Sequence, residues 1–202
     1  MAVSGKCPVS QGKTVGFEIK SVKIVYSGWA RFRTAEVATP GGDIIEREIE
    51  DHGEAAAILP YDPVRRIAIL ISQFRTPVAF ASGAGEVVEA IAGIIDDGNP
   101  LATARREALE EAGLELSDLE HVGTLWTAPG ISTERMSLFL APFSSAQRVT
   151  EGGGLAAEHE AITVHEVALS TLAQDADERR LTDLKTFALV QTLRLKRPDL
   201  FV

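Results

Sequence analysis

Residues 93–113 read GIIDDGNPLATARREALEEAG. The second half places Glu107, Glu110 and Glu111 at i, i+3 and i+4, directly after Arg105 and Arg106. Asn99 is a natural N-cap, Pro100 stands where a missing N–H costs nothing, and Gly113 is a natural stop. Leu101, Ala104, Ala108 and Ala112 form one apolar stripe, which predicts a helix over 100–112. Three carboxylates then share a face, with neighbouring Cβ atoms roughly 5–6 Å apart. The ordinary reading is a solvated face on which Arg106 pairs with Glu110 one turn on. Two costs count against it. Like charges at this spacing repel, and the last turn is where the helix dipole disfavours anions. A divalent cation would offset both, and Mg2+ favours carboxylate oxygens while keeping part of its water shell.

Upstream of the helix, EAAAILPYDPVRRIAILISQFR predicts two strands around a turn at Asp62-Pro63, with RIAILIS buried on both faces. GEVVEAIAG (85–93) predicts one further strand. Nearer the N-terminus, FEIKSVKIVYSG, WARFRTAEVAT and DIIEREIE are rich in β-branched and aromatic residues, and TPGGD supplies a turn. This antiparallel β unit, about 17–50, is short of core residues of its own and should pack on something else. Downstream, EHVGTLWT, MSLFLAP and AITVHEV read as strands, and VALSTLAQDADERR and TDLKTFALVQTLRLK as helices. On the last helix Leu184, Phe187, Ala188, Val190 and Leu193 make a wide apolar face. EGGG (151–154) reads as a flexible loop. The alternation of elements predicts an α/β (α+β) fold, a mixed sheet between helices. Residues 1–50 would form a tail and a dimerising β unit, and 51–202 the main domain.

The 202-residue chain is 45% hydrophobic and carries a net charge of −9, which disfavours general binding to nucleic acid or to an anionic membrane. Its single cysteine, Cys7, excludes an intrachain disulfide and suits a reducing cytoplasm. The start, MAVSGKCPVSQGK, has no apolar core of a signal peptide, and IAILI (67–71) is too short to span a bilayer. His52, His121, His159 and His165 show no metal-ligand spacing. Trp29, Phe32 and Trp126 could stack on a base, with core packing the safer reading of Trp126.

The 93–113 stretch resembles the Nudix box: a glycine, then at fixed distance R-E-aliphatic-x-E-E-x-G-aliphatic. The interval from Gly93 to Arg106 is one residue shorter than usual, Gly98-Asn99 replaces a glutamate of the first half, and Ala108 is small for its position. The resemblance runs over about 20–195. EIEDHGEAAAILPYDPVRRIAILISQFR and TAPGISTERMSLFLA are similar to ADP-ribose pyrophosphatases. The short box and GGGLAAEHEAITVHEV are similar to the GDP-mannose hydrolase branch.

The resemblance implies a Nudix fold and Mg2+-dependent hydrolysis of the pyrophosphate of a nucleoside-diphosphate sugar, with Mn2+ as a stand-in metal. It implies Glu107 and Glu111 as main metal ligands, Glu110 assisting and the Ala92 carbonyl completing the cluster. Glu160 would be general base or a further metal ligand, with Glu158 as the fallback. Arg75, Arg47 and Glu134 would bind substrate. Glu89 also matches a family position, with buried structural pairing an equal reading. A homodimer is implied, in which residues near Trp29–Phe32 or Arg47 line the partner's site. Two other functions remain open: a non-catalytic nucleotide sensor on the same fold, and a hydrolase of a dinucleotide or CoA.

Overall fold

The computed structural model describes residues 16–96, 98–155 and 161–202. Contacts divide it into two compact units. The first holds the chain up to His52 together with Ala128–Glu134; the second holds Gly53–Thr127 and Arg135–Val202.

The first unit is a three-stranded antiparallel sheet: β1 (Glu18–Ser27), β2 (Arg31–Ala38) and β3 (Ile44–Asp51), in that order. Every residue of β1 is exposed, including Ile19, Val22, Ile24 and Val25. The segment 128–134 lies along β3 through a parallel bridge, Glu50 to Ser132. Backbone bonds from Glu50 N–H to the Ile131 carbonyl (2.8 Å) and from Thr133 N–H to the Glu50 carbonyl (2.9 Å) hold it there.

The second unit is built on a seven-stranded mixed sheet. Its main path runs β10 (Thr163–Ala168), β5 (Ile67–Phe74), β4 (Ala55–Asp62), β9 (Arg135–Pro142), β8 (Glu120–Trp126). β4 and β9 are parallel and the other pairs antiparallel. All eight residues of β4 are buried, because alternate residues face two different cores. Ala56 and Ile58 join Ile69, Ile71 and Phe139 under helix α2 (Pro100–Ala112), which contributes Ala104, Ala108 and Ala112. Ala57 and Leu59 join Leu70, Leu138 and Leu140 under α3 (Leu169–Asp177) and α4 (Leu184–Lys196). The sheet is therefore sandwiched between helices.

The structure departs from the expected elements in four places. The segment 85–93 is two strands, β6 (Glu86–Glu89) and β7 (Ile91–Ile94), because the chain changes partner at Ala90. β6 pairs with β5 and β7 with β4, and Ala90 N–H, lost to both ladders, donates to Thr186 Oγ1 at 2.6 Å. A short helix, α1 (Thr76–Ser82), follows Arg75, where no periodic apolar pattern announces it. On α4 the buried face is Thr186, Leu189, Val190 and Leu193, whereas Leu184 and Phe187 are exposed. Asp183 starts this helix: its carboxylate accepts Thr186 N–H at 2.9 Å. Burial of each large aliphatic side chain on that face contributes about 1.5–3 kcal/mol. Trp126 is exposed rather than in the core, since β8 is an edge strand; the Arg135 guanidinium lies 5.8 Å from its ring centre.

Candidate active site

Helix α2 starts and stops as its sequence demands. Asn99 Oδ1 accepts Ala102 N–H at 3.2 Å, and Gly113, at φ 68°, returns its N–H to the Leu109 carbonyl at 3.0 Å. The apolar stripe turns into the core and carries Glu107 and Glu111 inward with it. Glu111 is 2% exposed and Glu107 9%, so neither belongs to a solvated face. Burying a carboxylate costs several kcal/mol unless a cation or hydrogen-bond donors meet it.

What meets them here is the middle of β7. Ala92 N–H lies 3.3 Å from Glu111 Oε2. Glu107 lies directly over Gly93, where a Cβ would stand 1.8 Å from its Oε1. The glycine at the head of the box is thus a space for a carboxylate. Arg106 sits at the rim, 2.7 Å from both Glu107 Oε1 and Glu110 Oε2. Burial would lower the Arg106 pKa, but the charges of Glu107 and Glu110 hold it above its usual value. Glu110, with its side chain a quarter exposed, leans onto Arg106 as the solvated-face reading expects.

The glycines of 151–154 serve the same helix. They are engaged rather than loose: Gly153 N–H donates to the Glu111 carbonyl (2.9 Å) and Gly154 N–H to the Glu110 carbonyl (3.1 Å). Gly152, Gly153 and Gly154 all have positive φ, and a Cβ on Gly152 would stand 2.4 Å from the Glu111 carbonyl oxygen. Only glycine lets the backbone come this close while capping the last carbonyls of α2. Glu158, His159 and Glu160, which follow, lie outside the described residues.

Arg75 ends β5. Its Nε donates to Glu89 Oε1 at 2.7 Å, and Lys185 Nζ reaches the other oxygen of Glu89 and, at 3.0 Å, Asp183 Oδ1. Glu89 is buried, so two cations neutralise one carboxylate that water cannot reach. Burial works against the charge on Arg75, but Glu89, Glu111 and Asp183 raise its pKa. Arg75, Glu89, Asp183 and Lys185, with Pro77 and Val78, line a cleft of about 360 Å3. Lys185 escaped the sequence reading because it lies 96 residues from Glu89 and carries no local pattern.

The second unit therefore gathers Ala92, Glu107 and Glu111, and places the Arg75–Glu89 pair in a cleft. Arg47 and Glu134 belong to the first unit. Arg47, on β3, donates Nη1 to the Glu46 carbonyl at 2.8 Å, and Glu134 stands 3.2 Å from His52. Among the described residues no three Asp, Glu, His or Cys side chains stand ready as a complete metal cage. The donor chemistry nevertheless fits a hard cation, with two carboxylates and the carbonyl of Ala92, within β7, as oxygen donors. Its remaining ligands would have to be water, substrate or a further side chain.

The second unit is thus a mixed sheet between helices, with a glutamate-bearing helix laid over the glycine of β7. The NUDIX domain model matches residues 51–184, and the chain belongs to the NUDIX family of hydrolases. It is 36% identical over 167 residues to the GDP-mannose pyrophosphatase of Cronobacter sakazakii, covering 81% of this chain and 86% of that one. It is 34% identical over 178 residues to the GDP-mannose pyrophosphatase of Klebsiella pneumoniae, covering 85% and 88%. A solved structure described as an ADP compounds hydrolase superposes with a TM-score of 0.73 at 18% identity, over 91% of this chain and 95% of that one. That likeness is one of fold.

Proposed function

We propose that this protein is a Mg2+-dependent pyrophosphatase of nucleoside-diphosphate sugars, acting on GDP-mannose or a close relative. The observation that supports it most is the pair of buried carboxylates, Glu107 and Glu111, set against Ala92 and Gly93 in a chain similar to GDP-mannose pyrophosphatases along most of its length. When bound, the metal neutralises phosphate oxygens and lowers the pKa of coordinated water.

The chain's own residues supply the rest. Glu107, Glu111 and the Ala92 carbonyl would hold the cation, with Glu110 assisting from the rim beside Arg106. Arg75 offers its outer guanidinium nitrogens to phosphate oxygens while Glu89 fixes its direction through Nε. Glu160, or Glu158 in its place, takes a proton from the attacking water or adds a metal ligand. Arg47 and Glu134 contact the substrate. Water adds across the P–O–P bond and yields a nucleoside monophosphate and a sugar phosphate. The exposed apolar strand β1 suits a homodimer, and the acidic chain suits a cytoplasmic enzyme with no nucleic-acid or membrane partner. Among the described residues no helix is long and apolar enough to cross a membrane.

Incubation with Mg2+ and a panel of GDP-mannose, ADP-ribose, a dinucleotide and CoA tests this. GMP and mannose 1-phosphate are the expected products. Binding without turnover of any of them would replace the enzyme with a sensor, and turnover of CoA or the dinucleotide alone would move it to another branch.

A further inference from the structure

His52 follows β3 and lies between two carboxylates of the first unit. Its Nδ1 is 2.6 Å from Glu50 Oε1 and its Nε2 is 3.2 Å from Glu134 Oε1, and all three side chains are largely withdrawn from solvent. The ring stacks on the Trp29 indole, with centres 5.0 Å apart and planes 17° apart. The second oxygen of Glu50 accepts from Ser132 Oγ at 2.6 Å, and neighbouring Asp51 is met by Arg33 Nη1 (2.6 Å) and Thr133 Oγ1 (3.1 Å). A neutral imidazole has one N–H. It can serve one of the two carboxylates and must turn a lone pair towards the other. An imidazolium serves both. The backbone of 128–134 is held independently by its bonds to Glu50, so the ring controls the Glu134 side chain and not the course of the segment.

We propose that His52 is a protonation-dependent positioning residue: as an imidazolium it clasps Glu50 and Glu134 together and fixes the Glu134 carboxylate, and on losing its proton it releases that carboxylate. The bearing of this clasp on catalysis rests on the reading of Glu134 as a substrate contact; the clasp itself does not. The groups acting on the ring are Glu50 from β3 and Glu134 from 128–134, while Trp29 from the β1–β2 turn covers one face. Burial pulls the His52 pKa down, but hydrogen bonds to Glu50 and Glu134 and their charges outweigh it and leave it raised.

The test is an NMR titration of the His52 ring in the full-length protein, assigned with H52Q and repeated in E50Q and E134Q. His52 should titrate above the ordinary value of about 6.5, and its midpoint should fall in both variants. A wild-type midpoint at or below the ordinary value, or one that E134Q leaves unmoved, overturns the clasp. Kinetics then test its use. Arginine keeps the charge and its donors at all pH, so the ratio of kcat/KM for H52R to wild type with GDP-mannose should climb roughly three- to tenfold between about pH 6 and 9, the range of one charge-assisted hydrogen bond. A flat ratio overturns the positioning role. If no variant hydrolyses the sugar nucleotide, the functional reading fails, while the titration still decides the clasp.

Discussion

Strands β4 and β1 make the comparison that organises this molecule. AAAILPYD is buried at all eight positions, whereas EIKSVKIVYS, with Ile19, Val22, Ile24, Val25 and Tyr26, is exposed at all ten. Both are rich in apolar side chains. The difference is cover: β4 has helices on both faces and strands on both sides, while β1 is the edge of a three-stranded sheet. A sheet buries a face only when a second layer packs on it. The covered unit can therefore hold carboxylates in a dry, fixed geometry on α2. The uncovered unit keeps an apolar surface of a kind that marks interaction sites.

The sharpest way to break the comparison is to neutralise the buried carboxylates. Glu107→Gln or Glu111→Gln should lower kcat by about 10²-fold or more, the scale of a lost metal ligand. Mg2+ should raise the melting temperature of the wild type, because a ligand bound to the folded state alone stabilises it, and E111Q should lose that response. Near wild-type activity of both variants at saturating Mg2+ would remove them from the metal site.

Gly152→Ala tests how tightly the covered unit is built. Its Cβ would meet the Glu111 carbonyl oxygen at 2.4 Å from a backbone at φ 73°. A loss of about 1–3 kcal/mol in chemical denaturation is expected, with a fall in activity, since the same backbone caps the helix that carries Glu107 and Glu111. An unchanged denaturation midpoint would mean that 151–154 is as loose as its sequence suggests.

The uncovered unit is probed by Ile24→Glu. The wild type should run as a dimer in light scattering, and the variant should shift towards the 21.7 kDa monomer by burying a charge in an apolar interface. A wild type that is already monomeric at micromolar concentration would sink the dimer. A smaller effect follows from His52. Its folded-state pKa is raised, so the stability it contributes is fully present below the ordinary value of about 6.5 and is lost as pH rises through the raised one. The urea midpoint of the wild type should therefore fall, relative to H52Q, on going from about pH 6 to pH 8.5. The mildest change is Glu110→Gln, which loosens a rim pair worth about 0.3–0.5 kcal/mol and should cost no more than a few-fold in kcat.

The sequence by itself determined the elements that depend on neighbours in the chain. The caps at Asn99 and Gly113, the stripe of Ala104, Ala108 and Ala112 and the continuous apolar runs of β4 and β5, buried on both faces, all follow from local dihedral preferences and side-chain patterning, so most of the order of strands and helices was legible. So was the grouping of Glu107, Glu110 and Glu111 on one helix face. Tertiary structure decided what no local rule carries. It separated the glutamates, Glu107 packed inward over Gly93 and Glu111 against Ala92, with Glu110 left at the rim on Arg106. It split 85–93 at the residue where one ladder gives way to another, and it turned α4 so that Leu184 and Phe187 face outward. It brought Lys185 to Glu89 and Glu134 to His52 across long intervals of chain. Periodicity says which side chains share a face; which partner that face meets depends on how distant segments pack, and burial, not spacing, sets the charge state and reach of a carboxylate.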